Sequence, residues 1–310
     1  GVTCGQVRRL DKYQQVRPFD VVIVDEVSKA TPPELLLPML KGNKVILVGD
    51  HKQLPPLIAD NSLVEVAEDL GINPAELAHL EEPLFGTLWD SAPNEIKVML
   101  NEQYRMRPPI MAAINQFYNG ELRGGENVPE HGLSFENVGP DTSIVWIETP
   151  NTKPFYEKGD MSKYNDEEIK IIKRLLAQMN ASWVNSGAER KKQVGIITFY
   201  RSQLSRIREE IRPEDYPALV LRRGTVDQFQ GMEQEVVIVS LVRNNGDHNI
   251  GFAKKPERIN VAFSRAQQLL VIVGCRQLFT SQGRNMMAAA RYYQNIVDVI
   301  AKEGKLLPCY

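Results

Sequence analysis

The sequence predicts an α/β fold built on parallel sheets, and two kinds of observation support this prediction. Runs of β-branched and aliphatic residues at Val21–Val24 and Val45–Val48 are each followed closely by acidic residues. Such runs are typical of buried parallel strands, whose carboxyl ends lie at the edge of the sheet where ligands bind. Amphipathic helical patterns separate many of the later strand-like runs, and this alternation is typical of parallel α/β sheets.

Strand-like runs recur along the whole chain. In order, we predict strands at Val21–Val24, Val45–Val48, Ile96–Leu100, Ile144–Ile147, Val194–Thr198, Val220–Thr225, Val236–Leu241 and Leu270–Val273. The clearest helical pattern runs from Asp166 to Met179, with apolar residues at helical spacing. The residues from Asn165 to Glu168 form a signature of a helix amino terminus.

The composition is that of a globular chain. Its 310 residues are 43% hydrophobic and 25% charged, which leaves room for about two domains. No apolar run approaches the roughly 20 residues of a membrane span, and the amino terminus lacks a signal-peptide pattern. The three cysteines show no metal or disulfide spacing. We therefore expect no membrane partner and a cytoplasmic location.

A net charge of −2 argues against a broadly basic surface, so any surface that binds nucleic acid must be local. Four short basic groups are candidates, although a solvated surface turn is the favoured explanation of each. They are Arg8-Arg9, Arg190-Lys191-Lys192, Arg222-Arg223 and Lys254-Lys255.

The pair Asp25-Glu26 directly follows the first strand-like run. In P-loop ATPases the first acid of such a pair helps to hold Mg²⁺, and a following Glu can orient and deprotonate the attacking water. Taken alone, the pair could equally cap the next helix.

Four further segments accompany this acidic pair along the chain. They are Gly49–Pro56 (GDHKQLPP), Asn101–Pro108 (NEQYRMRP), Gly224–Glu233 (GTVDQFQGME) and Arg258–Ala266 (RINVAFSRA). In this order, with Asp25-Glu26, they resemble motifs II to VI of superfamily 1 helicases, most closely the branch of the nonsense-mediated-decay RNA helicase and its bacterial relatives.

The resemblance implies the RecA-like fold of P-loop NTPases, with residues 1–100 as a partial first domain and 101–310 as a complete second domain. The Walker A pattern G-x-x-x-x-G-K-[ST] is missing, because Gly304-Lys305 is followed by Leu306 and lacks the upstream Gly. We therefore expect a carboxy-terminal part of a longer helicase, partnered by its missing amino-terminal part. A strand at Val45–Val48 without its P-loop neighbour also predicts self-association.

The resemblance further implies ATP and Mg²⁺ as cofactors, bound in a cleft to which both domains contribute. Asp25 would hold Mg²⁺, Glu26 would act as general base and Gln53 would sense the γ-phosphate. Arg105 and Arg265 match the two arginine fingers, whose guanidinium groups stabilise charge on the transferring phosphoryl group.

Other positions match residues with binding roles in the family. Tyr104 matches an aromatic residue that stacks on the base, although a core tyrosine is the alternative. Glu233 matches a residue that binds the ribose, and Gly231 allows close backbone approach. Thr225, Asp227 and Thr3 are candidate contacts to single-stranded DNA or RNA. For Thr225, an ordinary hydroxyl at a strand end remains an alternative.

The leading hypothesis is an ATP-dependent helicase or translocase that moves 5′ to 3′. The first alternative is a nucleic-acid-binding or assembly module that does not hydrolyse ATP and is complete without a Walker A loop. A nucleotide switch or small-molecule kinase on the same fold is a further alternative, which the paired arginine motifs disfavour.

Overall fold

The computed structural model describes residues 1–7, 19–56, 66–67, 70, 72–73, 77, 83–128, 134–281 and 287–309. The chain divides into two compact units, Gly1–Met99 and Leu100–Tyr310. The basic pair Arg8-Arg9 lies outside the described residues. Within the described ranges, no helix combines the length and apolar character that crossing a membrane requires.

The first unit contains a parallel pair of strands, β1 (Phe19–Val24) and β2 (Gly42–Leu47). Helix α1 (Pro32–Met39) connects them, and helix α2 (Leu84–Ser91) follows later. The backbone N–H of Thr31 donates to the Glu34 carboxylate at 3.0 Å, which satisfies a group at the start of α1. A small core forms where α1 and α2 pack beside β1, built from Val24, Val27, Leu35 and Phe85.

One apolar surface of this small sheet is open to solvent. Val21 is 46% exposed, Ile23 66%, Ile46 43% and Val48 38%. Ile23 and Ile46 are direct neighbours in the parallel register. Burial of these side chains would be favourable, because apolar area removed from water stabilises by about 25 cal/mol per Å².

The predicted strand at Ile96–Leu100 is wrong. The structure has a 3-10 turn at Asn94–Ile96, followed by a segment without strand pairing. Ile96, Val98 and Leu100 are 75%, 77% and 81% exposed. The alternation of apolar residues favours a strand only where a neighbouring strand supplies hydrogen bonds, and in the described residues β1 and β2 pair only with each other.

The second unit is built on a six-stranded parallel sheet with strand order β10-β5-β9-β8-β6-β7. Its strands are β5 (Ile144–Glu148), β6 (Lys192–Thr198), β7 (Leu219–Thr225), β8 (Gln234–Ser240), β9 (Ala266–Gly274) and β10 (Lys305–Pro308). A separate short pair joins β3 (Glu102–Gln103) to β4 (Arg123–Gly124). The predicted parallel α/β fold is thereby confirmed, and the strands predicted from Ile144 onward are all present.

Helices cover this sheet. They are α3 (Pro108–Ile114), α4 (Asp166–Asn185), α5 (Arg201–Glu210), α6 (Val226–Phe229), α7 (Pro256–Phe263), α8 (Arg276–Phe279) and α9 (Met287–Glu303). Ile172 of α4 and Ile207 of α5 join one buried cluster with Ile196 and Ile238 of the central strands. Every residue of β8 is buried, as expected for a strand in the middle of a parallel sheet.

Helix α4 begins where the sequence predicts. The Asn165 side chain accepts hydrogen bonds from the backbone N–H groups of Glu167 and Glu168, both at 3.2 Å. These bonds satisfy donors that have no partner inside the helix. The helix continues to Asn185, beyond the predicted end at Met179.

Candidate active site

Three segments of the second unit meet around the Arg105 side chain. Its Nε donates to Oε2 of Glu233 at 2.7 Å, and its Nη1 donates to the carbonyl of Ser264 at 3.5 Å. Gln267 donates to the other oxygen of Glu233 at 2.9 Å. The Arg105 and Glu233 side chains are 35% and 48% exposed, so this cluster is open to solvent. Residues from motifs IV, V and VI therefore form one surface.

The turn that carries Arg105 is fixed by Gln103. Its side-chain oxygen accepts from the backbone N–H groups of Arg105 and Met106, at 3.0 and 2.7 Å, and its amide donates to the Met106 carbonyl at 2.9 Å. Arg107 ties the same turn to the sheet, because its backbone N–H donates to the Gln267 carbonyl at 3.0 Å.

Arg107 is itself buried, and its Nη1 donates to the Pro140 carbonyl at 2.8 Å. Burial lowers the pKa of its guanidinium group. Gln103, Arg107 and Gln267 were not predicted as site residues. Only the position of the first two inside the NEQYRMRP segment could have indicated them.

Tyr104 presents its ring to solvent and is 55% exposed. The ring lies against Gly125, where an added Cβ would overlap it. A hydrogen bond to Glu102 raises the pKa of the Tyr104 hydroxyl. This exposure excludes the alternative of a core tyrosine. An exposed aromatic ring that packs against a glycine is compatible with stacking on a base.

Glu233 is positioned by the turn that follows α6. Gly231 has φ +77°, in the left-handed region that glycine adopts without steric cost. The backbone N–H of Met232 donates to the Phe229 carbonyl at 3.0 Å, and that of Gln234 donates to the Arg265 carbonyl at 2.9 Å. The turn thus joins the start of β8 to the end of the RINVAFSRA segment.

Arg265 has a different environment from Arg105, being only 1% exposed. Its Nε donates to the Val261 carbonyl at 3.0 Å, its Nη1 to the Met232 carbonyl at 3.2 Å and its Nη2 to the Ser264 hydroxyl at 2.7 Å. Both arginines contact Ser264, so the structure brings the two predicted fingers together. Arg265 is fixed in place, whereas Arg105 is accessible.

The predicted nucleic-acid contacts Thr225 and Asp227 have intramolecular partners. Thr225 precedes α6, and its backbone N–H donates to the Gln228 side chain at 3.2 Å. Asp227 accepts two hydrogen bonds from Arg258, at 2.9 and 3.2 Å. This pair links α6 to α7, directly ahead of the turns that carry Glu233 and Arg265.

In the first unit, the acidic pair lies at the carboxyl end of β1. The Asp25 carboxylate accepts from the backbone N–H of Glu26 at 2.8 Å, and both side chains are exposed. Glu26 has φ 56°, an uncommon conformation for a residue with a side chain. The strain is of the kind that clusters at functional sites.

The motif III segment follows β2 at the same edge of this sheet. Val48 donates to the Val24 carbonyl at 2.8 Å, and Val27 donates to the Val48 carbonyl at 3.1 Å. Asp50 accepts from the Gln53 side chain at 2.9 Å, which fixes the direction of the Gln53 amide. The acidic pair and Gln53 therefore follow neighbouring strands.

His51 lies between these residues and α2. Its ring stacks on Trp89 with centroids 5.5 Å apart, and burial lowers its pKa. Thr3 is exposed near the amino terminus, where its carbonyl accepts from the backbone N–H of Gln6 at 2.9 Å.

The acidic residues of the first unit decide whether Mg²⁺ would fit at the edge of its sheet. The described residues contain no group of three or more His, Cys, Asp or Glu arranged to hold a metal. One carboxylate is nevertheless sufficient in nucleotide sites, because Mg²⁺ keeps several waters and takes its other ligands from phosphates. The exposed Asp25 carboxylate at the sheet edge fits that donor set.

Comparison with known families identifies the chain. A family model described as AAA domain matches residues 80–277, and a second model with the same description matches residues 2–61. The chain belongs to this AAA domain family.

Curated relatives of this AAA domain chain are helicases. The DNA polymerase alpha-associated DNA helicase A of Saccharomyces cerevisiae is 33% identical over 277 residues, which are 83% of this chain and 38% of that protein. The ATP-dependent helicase NAM7 of the same yeast is 30% identical over 282 residues, covering 88% of this chain and 27% of that protein. An ATP-dependent helicase from Methanocaldococcus jannaschii is 32% identical over 278 residues, which are 84% of this chain and 36% of that protein.

These relatives confirm the resemblance to superfamily 1 helicases that the motifs indicate. The AAA domain chain spans 27% to 38% of the length of the three relatives. Among solved structures, an arterivirus nonstructural protein 10 helicase in complex with DNA covers 89% of this chain and is itself 43% covered, at 15% identity and a TM-score of 0.41. That likeness is too loose to support an argument.

Proposed function

We propose that this chain supplies the catalytic acids, the arginine fingers and part of the nucleic-acid surface of an ATP-dependent helicase or translocase. The substrate is single-stranded DNA or RNA, and the direction of movement is 5′ to 3′. The relatives named DNA helicase and ATP-dependent helicase support this proposal.

One observation carries the proposal: both arginines donate to Ser264, and Arg105 also pairs with Glu233, so residues of three motifs meet at one surface. Permanently charged, planar guanidinium groups suit the oxygens of a phosphoryl group. Arg105 is held by an exposed ion pair, and exposed pairs contribute only about 0 to 1 kcal/mol. Phosphate oxygens can therefore replace the Glu233 carboxylate at little cost.

The release of Arg105 gives Glu233 a second role. Its carboxylate keeps the hydrogen bond from Gln267 and gains room to accept one from a ribose hydroxyl. Tyr104, exposed beside the same turn, offers its ring to the base. The surface thus carries complementary groups for each part of a nucleotide.

The first unit carries the complementary acids. Asp25 would hold Mg²⁺, which neutralises charge on the phosphates when bound. Glu26, which has an unusual backbone conformation and a carboxylate 3.6 Å from Nζ of Lys29, would take a proton from water. Gln53, whose amide is oriented by Asp50, would contact the γ-phosphate. All three follow the carboxyl ends of β1 and β2.

The second candidate is a nucleic-acid-binding or assembly module that hydrolyses no ATP. It is favoured by one specific observation, the absence of G-x-x-x-x-G-K-[ST] from all 310 residues. That loop ordinarily cradles the phosphates through its backbone and its lysine.

ATPase activity of the full-length gene product, with and without single-stranded nucleic acid, tests the proposal. Arg105→Ala and Arg265→Ala should each lower stimulated turnover by about 10³-fold or more, as arginine fingers do in related reactions. Arg291→Ala, which removes an exposed arginine from α9, is the control and should retain turnover. Unaffected turnover in both finger variants would refute the assignment.

Nucleic-acid binding without ATPase activity in the full-length product would select the second candidate. Duplexes with either a 5′ or a 3′ single-stranded tail then measure direction. The proposal expects strand separation only from the 5′ tail.

A further inference from the structure

The second unit contains a pocket of about 480 Å³ that no role above uses. It lies beyond the carboxyl ends of β6 and β8, which place Tyr200 and Arg243 in its lining. Met161, Lys163 and the segment around Phe252 supply the rest of the lining. In open parallel sheets this edge is where ligands bind, and the volume lies within the range of about 300–1,000 Å³ typical of small-molecule sites.

An aromatic platform forms one part of this pocket. The Tyr200 hydroxyl accepts from the backbone N–H of Phe252 at 3.3 Å and from Nη1 of Arg243 at 3.4 Å. The ring centroids of Tyr200 and Phe252 lie 5.6 Å apart. Gly251 has φ +55°, and an added Cβ there would overlap the Tyr200 hydroxyl. Tyr200 is buried, and the Arg258 guanidinium lies 5.6 Å from the centroid of the Phe252 ring. The phenylalanine is thus held by a tyrosine and a cation, and it is still 52% exposed.

Cationic side chains surround this platform. Lys163, Lys254 and Lys255 line the pocket together with Arg243, and the described lining contains no carboxylate. Glu157 neutralises Arg243 through an ion pair at 2.9 Å. Lys254 and Lys255 are exposed and have no ion-pair partner among the residues that the structure describes. The positive charge of the pocket therefore comes from three lysines in two separate segments.

The loop that carries Phe252 is anchored before any ligand arrives. Glu157 accepts from the backbone N–H of Asn244 at 2.5 Å and from the Asn245 side chain at 3.0 Å. Asn245 in turn donates to the Asn249 carbonyl at 2.8 Å. Preorganisation of this kind reduces the entropy lost on binding.

We propose that this pocket binds one nucleotide unit of single-stranded nucleic acid, with the base on Phe252 and the flanking phosphates on the lysines. The inference rests on the proposed function, since it names a contact on the strand that the helicase would follow. An exposed aromatic ring beside unpaired cations, without an opposing carboxylate, matches the stacking and phosphate contacts of single-strand binding. Lysines from two segments favour a ligand with more than one phosphate.

Binding of fluorescein-labelled dT and rU oligonucleotides to the 310-residue chain, measured by anisotropy over a salt series, tests this site. Phe252→Ala and Phe252→Leu should each weaken binding about tenfold, because both remove the stacking ring and the second keeps an apolar side chain. The double variant Lys254→Gln/Lys255→Gln should reduce the slope of log K against log salt by about 1.4, or about 0.7 for each phosphate contact.

The matched control is Lys302→Gln/Lys305→Gln. Both lysines are exposed, and they lie just before and at the start of β10, near the amino edge of the same parallel sheet. This control removes equal charge and should leave the slope unchanged. Circular dichroism melting checks that every variant is folded.

The outcomes are distinguishable. Failure of the unmodified chain to bind either oligonucleotide would overturn both the proposed function and this site. Binding that is unaffected by the Phe252 and lysine variants would overturn the site alone. Thymidine monophosphate is the competitor: Phe252-dependent binding of this mononucleotide, combined with Phe252-independent strand binding, would show a free-nucleotide site and contradict the proposal.

Discussion

Glu168 provides the sharpest test of the packing in the second unit. It lies on α4, and its carboxyl group is fully buried at the carboxyl end of β8. The Ser240 hydroxyl donates to it at 2.5 Å and the backbone N–H of Val242 at 3.0 Å. Burial, reinforced by the nearby Glu157 charge, raises the pKa of Glu168 from 4.5 to about 8 despite these hydrogen bonds.

The sign of the resulting pH dependence follows from proton linkage. Below pH 4.5 the folded and unfolded chains both hold this proton, and the contribution to stability is complete. As the pH rises towards about 8, the unfolded chain releases the proton and the folded chain keeps it. The free energy of unfolding therefore falls by about 1.4 kcal/mol per pH unit, to a total loss of about 5 kcal/mol above pH 8.

Glu168→Gln removes this titration while its amide oxygen can still accept from Val242 and Ser240. Urea unfolding of both proteins between pH 4.5 and 8.5 measures the effect, with Trp89→Phe as the common background. That background leaves Trp146 and Trp183 to report on the second unit alone. The variant should gain stability relative to the parent as the pH rises.

The control for this series is Glu209→Gln, which removes an exposed carboxyl group from α5. Its stability should follow the parent at every pH. The difference in unfolding free energy between Glu168→Gln and the parent should change from pH 4.5 to 8.5. A constant difference would refute the interpretation that the buried Glu168 carboxyl group stays neutral in the folded chain.

Three further predictions follow from the structure. Residues 1–310 alone should show no ATP turnover in a phosphate-release assay, because phosphoryl transfer depends on positioning that the absent P-loop provides; measurable turnover would contradict this. The chain should self-associate in sedimentation experiments, and Ile23→Thr/Ile46→Thr should reduce association by making the exposed sheet surface polar; a parent that stays monomeric at high concentration is the contrary result. A double-mutant cycle of Asp227→Ala and Arg258→Ala should give a coupling of about 0.5–3 kcal/mol in unfolding, and purely additive effects would exclude a stabilising pair.

The fold of the second unit was largely predictable because its strands are buried on both faces. The apolar runs at Val194–Thr198 and Val236–Leu241 have no other stable location than the middle of a sheet. The amino terminus of α4 was also readable, since Asn165 carries the capping group within its own sequence neighbourhood.

The sequence does not reveal those elements that exist only because a neighbouring strand pairs with them. The two-residue strands β3 and β4 have no periodicity to detect. Strand β10 contains Lys305, which the sequence presents only as an incomplete P-loop match, yet it pairs with β5 at the sheet edge. Ile96–Leu100 shows the opposite failure, because a strand-like pattern lacks a described partner.

The same distinction explains the candidate site. Local motifs indicate Arg105, Glu233 and Arg265, but hydrogen-bond partners distant in sequence cannot be read from spacing. Gln267 is one such partner, and Arg258 is another, since it occupies the Asp227 carboxylate that was predicted to face nucleic acid.

The two arginines of the proposed site differ in a way that suits distinct tasks. Arg265 is buried with three hydrogen bonds to the chain itself, so its charge is fixed before a nucleotide arrives and needs little reorganisation. Arg105 is paired with an exposed carboxylate, so its charge is masked until phosphate oxygens compete for it. Under the proposed function, Arg265 supplies a positive charge that is fixed in place before the nucleotide binds. Arg105 supplies a contact that forms only when the nucleotide is bound. Loss of Arg105 should therefore affect nucleotide affinity as well as turnover, whereas loss of Arg265 should act mainly on turnover.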